Sequence, residues 1–137
     1  MPAQPSKLQV ILSQFDKACD RLSDVLAMPA DEFNLVRDSA IQRFEFTYEL
    51  FWKVIRTWAA KKKDVVHSPS ECFDYAFKRK LISNQENVFA AELIKWRNLT
   101  SHMYEESMAQ EIYERLPKAA AMMRSTIQRL KEKDKKP

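Results

Sequence analysis

Residues 7–26 read KLQVILSQFDKACDRLSDVL, with apolar side chains at Leu8, Ile11, Leu12, Phe15, Ala18, Cys19, Leu22, Val25 and Leu26. That spacing follows the helical period of about 3.6 residues without a gap, so the segment is an amphipathic helix with one face to bury. Working outward, Met28-Pro29-Ala30-Asp31 breaks it. A second stripe at Val36, Ala40, Ile41, Phe44, Tyr48, Phe51, Ile55 and Trp58 predicts a long helix from Phe33 to Lys62. Ser68-Pro69-Ser70-Glu71 is a capping box with proline at the first helical position, opening a short helix that ends near Lys80. Asn84 is expected to cap a fourth helix that carries Val88, Leu93, Trp96 and Leu99 to the core. Ser107 with Gln110 repeats the capping-box logic and opens a last helix to Lys131, kinked at Pro117, where proline removes an intrahelical hydrogen bond. The pattern predicts an all-α, up-and-down antiparallel bundle with a four-helix core and a short extra helix. Phe46 and Trp52 fall outside the main stripe, surplus apolar surface that points to self-association, with packing against the third helix consuming some of it.

The chain of 137 residues is the size of one ordinary domain, with residues 1–6 and 132–137 expected to fray. It contains no glycine. A P-loop, a dinucleotide-binding glycine turn and a nucleophile elbow are therefore excluded together, since each needs glycine for a left-handed backbone or for close approach to a ligand. Cys19 and Cys72 lie far apart in apolar settings and read as reduced core residues. His67 and His102 fit no ligand spacing, so no metal and no cofactor is expected. No apolar run approaches the roughly 18 residues that would cross a bilayer, and the N-terminus lacks the marks of a signal peptide. The expectation is a soluble, cytoplasmic protein without a membrane partner. The formal charge is +4, but the cations cluster at Lys61-Lys62-Lys63, at Lys78-Arg79-Lys80 and from Lys131 to Lys136. A polyanion or an acidic partner fits such clusters, and so do solvated helix ends with a frayed tail.

One segment is chemically dense. Residues 97–104 hold a fixed cation (Arg97), an amide (Asn98), an imidazole (His102) and a phenol (Tyr104). On a continuous helix Asn98 and His102 are i,i+4 neighbours, and Arg97 shares a face with Tyr104. Arg97 and His102 are about 140° apart, so they converge only through the length of the arginine, a helix end between them, or a second subunit. The set suits metal-independent RNA cleavage: an imidazole takes the 2′-hydroxyl proton and a guanidinium holds the phosphate as its charge builds. The alternative is structural, with Arg97 paired to a carboxylate such as Glu92 or Glu45 and His102 capping a helix. On the second helix Glu45, Glu49, Trp52, Lys53 and Arg56 form a face of mixed charge, with a favourable Glu49–Lys53 pair and a place for Arg97 or Arg43 between the two glutamates. That face reads as an ion-pair network supporting the motif helix.

The pattern Arg97-Asn98-x-x-x-His102-x-Tyr104, preceded by Ile41-Gln42-Arg43-Phe44-Glu45-Phe46-Thr47-Tyr48-Glu49-Leu50-Phe51-Trp52-Lys53, resembles the HEPN superfamily, specifically its nucleotidyltransferase substrate-binding branch. The resemblance implies a helical homodimer that works with a minimal nucleotidyltransferase. In related toxin-antitoxin pairs the HEPN member is a ribonuclease toxin whose motif tyrosine receives AMP from its partner. Carried over, this implies Arg97 and His102 as a catalytic pair, Asn98 as support, Tyr104 as the modified residue, RNA as the substrate and no role for DNA, while Arg43, Glu45, Glu49 and Lys53 are expected to support the motif from the ion-pair face of the second helix. The branch is named for a different task, holding substrate for the nucleotidyltransferase, and the same residues serve it.

Overall fold

The computed structural model describes residues 4–102 and 105–136, with the backbone alone at 100–102. The helices are α1 (Lys7–Leu26), α2 (Leu35–Lys61), α3 (Pro69–Lys78), α4 (Asn84–His102) and α5 (Glu106–Asp134). α1 packs most extensively on α2, and α2 next on α5. Ion pairs record the directions. Lys131 and Arg124 of α5 meet Asp16 and Asp20 of α1, and Arg129 and Arg115 of α5 meet Glu86 and Glu92 of α4. α1 and α4 thus run antiparallel to α5. Lys61 of α2 meets Asp134 of α5, so α2 and α5 run side by side in one direction. This is the up-and-down bundle, with α3 inserted in the α2–α4 connection.

The core is aromatic where α1, α2 and α3 meet. The Phe51 ring lies 6.2 Å from Phe15 and 5.5 Å from Phe73, and Tyr48 meets Phe73 edge-on at 6.1 Å. Rings at such separations add about 0.5–1.5 kcal/mol per pair beyond the area they bury. The second-helix stripe is buried from Ala40 to Trp58, whereas Val36 is partly buried and Phe33 lies in the preceding turn at 74% exposure. Cys19 and Cys72 are free and buried, and burial pushes both thiols up to about 11. Among the described residues no helix is long and apolar enough to cross a membrane.

Several boundaries differ from the sequence expectation for local reasons. α2 starts at Leu35 because the Asp31 carboxylate accepts the backbone N–H groups of Phe33, Leu35 and Val36 at 3.2, 3.0 and 2.8 Å. Those bonds, the one from Val36 foremost, hold the Asp31 carboxyl below its usual range. α4 is capped by Ser83, not Asn84: the Ser83 hydroxyl accepts from Glu86 N–H at 3.1 Å, and Ser83 N–H donates to the Glu86 carboxylate at 2.8 Å. Val88 is 66% exposed while Phe89 and Ala90 are buried, because Val88 lies five residues and about 140° around the helix from Leu93. Ser107 caps nothing: α5 begins at Glu106 after Glu105, and no side chain caps it. α5 continues through Pro117 as one helix and extends past Lys131 to Asp134, which Lys61 holds at 2.9 Å.

The lack of glycine shows at the helix ends. α2 and α3 both close with the left-handed residue of a Schellman motif. Lys63 N–H donates to Ala60 and Asp64 N–H to Ala59, and Lys80 N–H donates to Phe77 and Leu81 N–H to Ala76. The left-handed residues are lysines, Lys63 at φ 67° and Lys80 at φ 62°. A β-carbon in this region costs about 1–2 kcal/mol, partly offset by the smaller chain entropy that lysine loses relative to glycine. Lys63→Gly and Lys80→Gly are each expected to stabilise the protein by about 0.5–1 kcal/mol in urea melts. Acid stability has a separate source in Glu86. Burial pushes its carboxyl up, but the Ser83 amide and the Arg129 guanidinium outweigh that and hold it below the ordinary value. A carboxyl lowered in the folded state stabilises above its unfolded pKa and loses that contribution as pH falls through the folded one. Glu86→Gln should therefore destabilise at neutral pH and flatten the fall in melting temperature below about pH 4.

Candidate functional site

The last turns of α4 are set by a packed tryptophan. Trp96 is buried against Phe89, rings edge-on at 5.6 Å, with the Arg115 guanidinium 5.8 Å from its ring centre. One residue further, about 100° around the helix, Arg97 leaves the core and reaches α2. Its Nε lies 3.6 Å from Oε1 of Glu49. The other oxygen of Glu49 accepts from the Trp52 indole N–H at 3.2 Å and lies 3.9 Å from the Lys53 ammonium. Trp52 in turn carries the Arg56 guanidinium 4.9 Å and the Lys53 ammonium 5.8 Å from its ring centre. One carboxylate thus gathers two cationic side chains and an indole beside the motif helix, and the indole carries a third cation, Arg56. Under this cluster the buried Tyr48 phenol is pushed far above its ordinary range, by burial first and by Glu49 next, with Arg97 opposing. It stays protonated at neutral pH.

The expected supporting residues separate. Glu49 and Lys53 join Arg97, and Glu45, one turn away, is half-buried and forms no ion pair among the described residues. Arg43 is turned about 120° from Glu49 and lines a groove between α1 and α2 with Arg21, Asp24 and Met28. Asn98 is exposed. α4 continues through His102, so no helix end falls between Arg97 and His102, and one route by which a single chain brings them together is closed. The imidazole itself and Tyr104 lie outside the described residues.

Arg37 escaped the sequence reading. It is 5% exposed in the first turn of α2, donating from Nε to Asp38 at 3.0 Å and from Nη2 to Glu106 at 2.7 Å. Glu106 begins α5, two residues after Tyr104. The segment that carries the motif is thus tied to α2 on both sides, at Glu49 through Arg97 and at Arg37 through Glu106. The available signal was an arginine in phase with Ala40, Ile41 and Phe44, at a position where an apolar residue is the rule.

A family model described as nucleotidyltransferase substrate binding protein like matches residues 7–132, which takes in all five helices up to the last residues of α5. The chain belongs to that family. It is similar to a protein from Thermus thermophilus of known crystal structure, with 32% identity and a TM-score of 0.78 over 85% of this chain and 98% of that one. No curated protein matches it.

A double-mutant cycle measures the cluster. Arg97 and Glu49 are both partly solvated, so Arg97→Ala and Glu49→Ala should couple by no more than about 1 kcal/mol in stability, less at high salt. Coupling well above that would mean that the pair is a fold-defining contact and not a held cation.

Proposed function

We propose that this protein is the substrate-holding partner of a nucleotidyltransferase and that Arg97 grips a phosphate of the nucleotide. The family description supports the pairing. The observation that carries the residue assignment is the Arg97 guanidinium at 3.6 Å from a carboxylate that also engages an indole and a lysine. A partly exposed guanidinium beside a carboxylate can meet an incoming anion, and its planar fork matches two phosphate oxygens. Lys53 and Arg56 add charge on the same face without base-specific contacts.

The continuous helix from Arg97 to His102 favours this reading over cleavage within one chain, because the two positions lie about 140° apart around α4. A ribonuclease site would need the length of the arginine or the second chain of a dimer to bring them together. Calorimetric titration with ATP, in the presence and absence of the nucleotidyltransferase, separates the possibilities. Arg97→Ala should weaken nucleotide binding by roughly ten- to a hundredfold, the worth of one charge-assisted contact, and Arg97→Lys should recover only part of it. RNA incubated with the protein in EDTA should remain intact. Cutting that leaves 2′,3′-cyclic ends and disappears in His102→Ala would transfer the assignment to a dimeric ribonuclease. A mass gain of AMP that disappears in Tyr104→Phe would make the chain the transferase's substrate as well as its partner.

A further inference from the structure

The fold gathers lysines that are far apart in sequence. Lys61 of α2 meets Asp134 of α5, Arg79 after α3 meets Asp64 after α2 at 2.7 Å, and Lys133 of α5 donates to the Arg79 carbonyl. The C-terminal ends of α2, α3 and α5 therefore share one end of the bundle, bringing together the clusters at 61–63, 78–80 and 131–136. Most carboxylates there are occupied: Asp134 by Lys61, Asp64 by Arg79 and the Tyr75 hydroxyl, Asp16 by Lys131, and Glu86 by Arg129. That leaves Lys62, Lys63, Lys78, Lys80, Lys135 and Lys136, all exposed and with no carboxylate partner among the described residues, against Glu132 and Asp74, the latter one turn before Lys78.

A second observation concerns where two of these lysines stand. Lys63 and Lys80 occupy left-handed positions, where a side chain strains the backbone. Favourable interaction with the helix C-termini does not account for both, since Lys61 and Lys78 already occupy the last turns of α2 and α3. In a chain without glycine some side chain has to stand at such positions, and at this end both are lysines, which adds two exposed cations to the surface.

We infer that this end binds the phosphate backbone of a single-stranded nucleic acid. The site goes beyond the nucleotide-holding role and is separate from it: the rise from Glu49 to the end of α2 and Lys63 is about 20 Å. Lysine ammoniums on long stems contact phosphates as point charges and do not read bases. A protein partner would call for an apolar centre, and among the described residues just Val65 and Phe77 interrupt the lysines.

Fluorescence anisotropy of labelled U20 and dT20 between 50 and 200 mM NaCl tests it. Binding by four of these lysines gives a slope of log K against log salt of about −2.8, at about −0.7 per phosphate contacted, with the two strands alike. The informative variant combines Lys62→Gln, Lys63→Gly, Lys78→Gln and Lys80→Gly. Glycine relieves the backbone at its two positions, so a thermal midpoint at or above that of the parent shows that the fold is intact. This variant should lose most of the slope and at least tenfold in affinity at 50 mM NaCl, while its ATP titration stays that of the parent. No binding of either strand at 50 mM NaCl, or an unchanged slope in the variant, overturns the inference. So does a protein that ignores both strands but sediments with phosphatidylserine vesicles, which would assign the lysines to a lipid surface. Because ATP binding is read in a separate titration, failure here leaves the Arg97 assignment standing, and the reverse holds.

Discussion

The Phe51 ring is held between Phe15 of α1 and Phe73 of α3, and the helix that carries it makes the two most extensive helix contacts of the bundle, with α1 and with α5. α2 has to present apolar side chains to α1, α3 and α5 at once, which leaves it a narrow polar strip. Glu49, Lys53 and Arg56 occupy that strip, and α4 brings Arg97 to it. The rigidity of the charged cluster is thus inherited from the aromatic packing beneath it. Burial of Tyr48 directly below makes the coupling close, since its ring packs in the core while its phenol senses both Glu49 and Arg97.

Ion pairs then set what apolar packing leaves loose. Leucines and phenylalanines tolerate small shifts along a helix axis, whereas a carboxylate and a guanidinium in hydrogen-bond contact do not. Arg129 with Glu86, Arg124 with Asp20 and Lys131 with Asp16 fix α5 against its neighbours. Most are partly solvated and add little stability each. Their contribution is to register, as is that of Arg37, whose burial makes it the more demanding of these contacts.

Local chemistry was readable from sequence wherever it depended on near neighbours. The period of α1, the Ser68-Pro69 start of α3 and the Glu49–Lys53 pair are decided within a few residues, and the structure has them as read. The errors arose where a distant partner or a competing cap intervened. Ser107 with Gln110 had the right spacing for a cap, yet Glu106 begins α5 and is engaged by Arg37, 69 residues away. Ser83 took the role given to Asn84 because Glu86 could complete the reciprocal box. Arg43 and Arg97 were equal candidates for Glu49 on charge alone; the phase of α2 turns Arg43 away, and the approach of α4 brings Arg97 in. The convergence of three lysine runs on one end depends on helix direction and length together, which no single stretch of sequence contains.

The light packing of α4 has a consequence of its own. Among the described residues it is buried chiefly through Phe89, Ala90, Leu93 and Trp96, and it touches α5 far less than α2 does. In amide hydrogen exchange such a helix behaves as a separate cooperative unit, opening at a lower free energy than the α1–α2–α5 core. The amides of α4 should then trade their protons before those of α2, with the contacts of Arg97 and Trp96 setting how far the two helices differ.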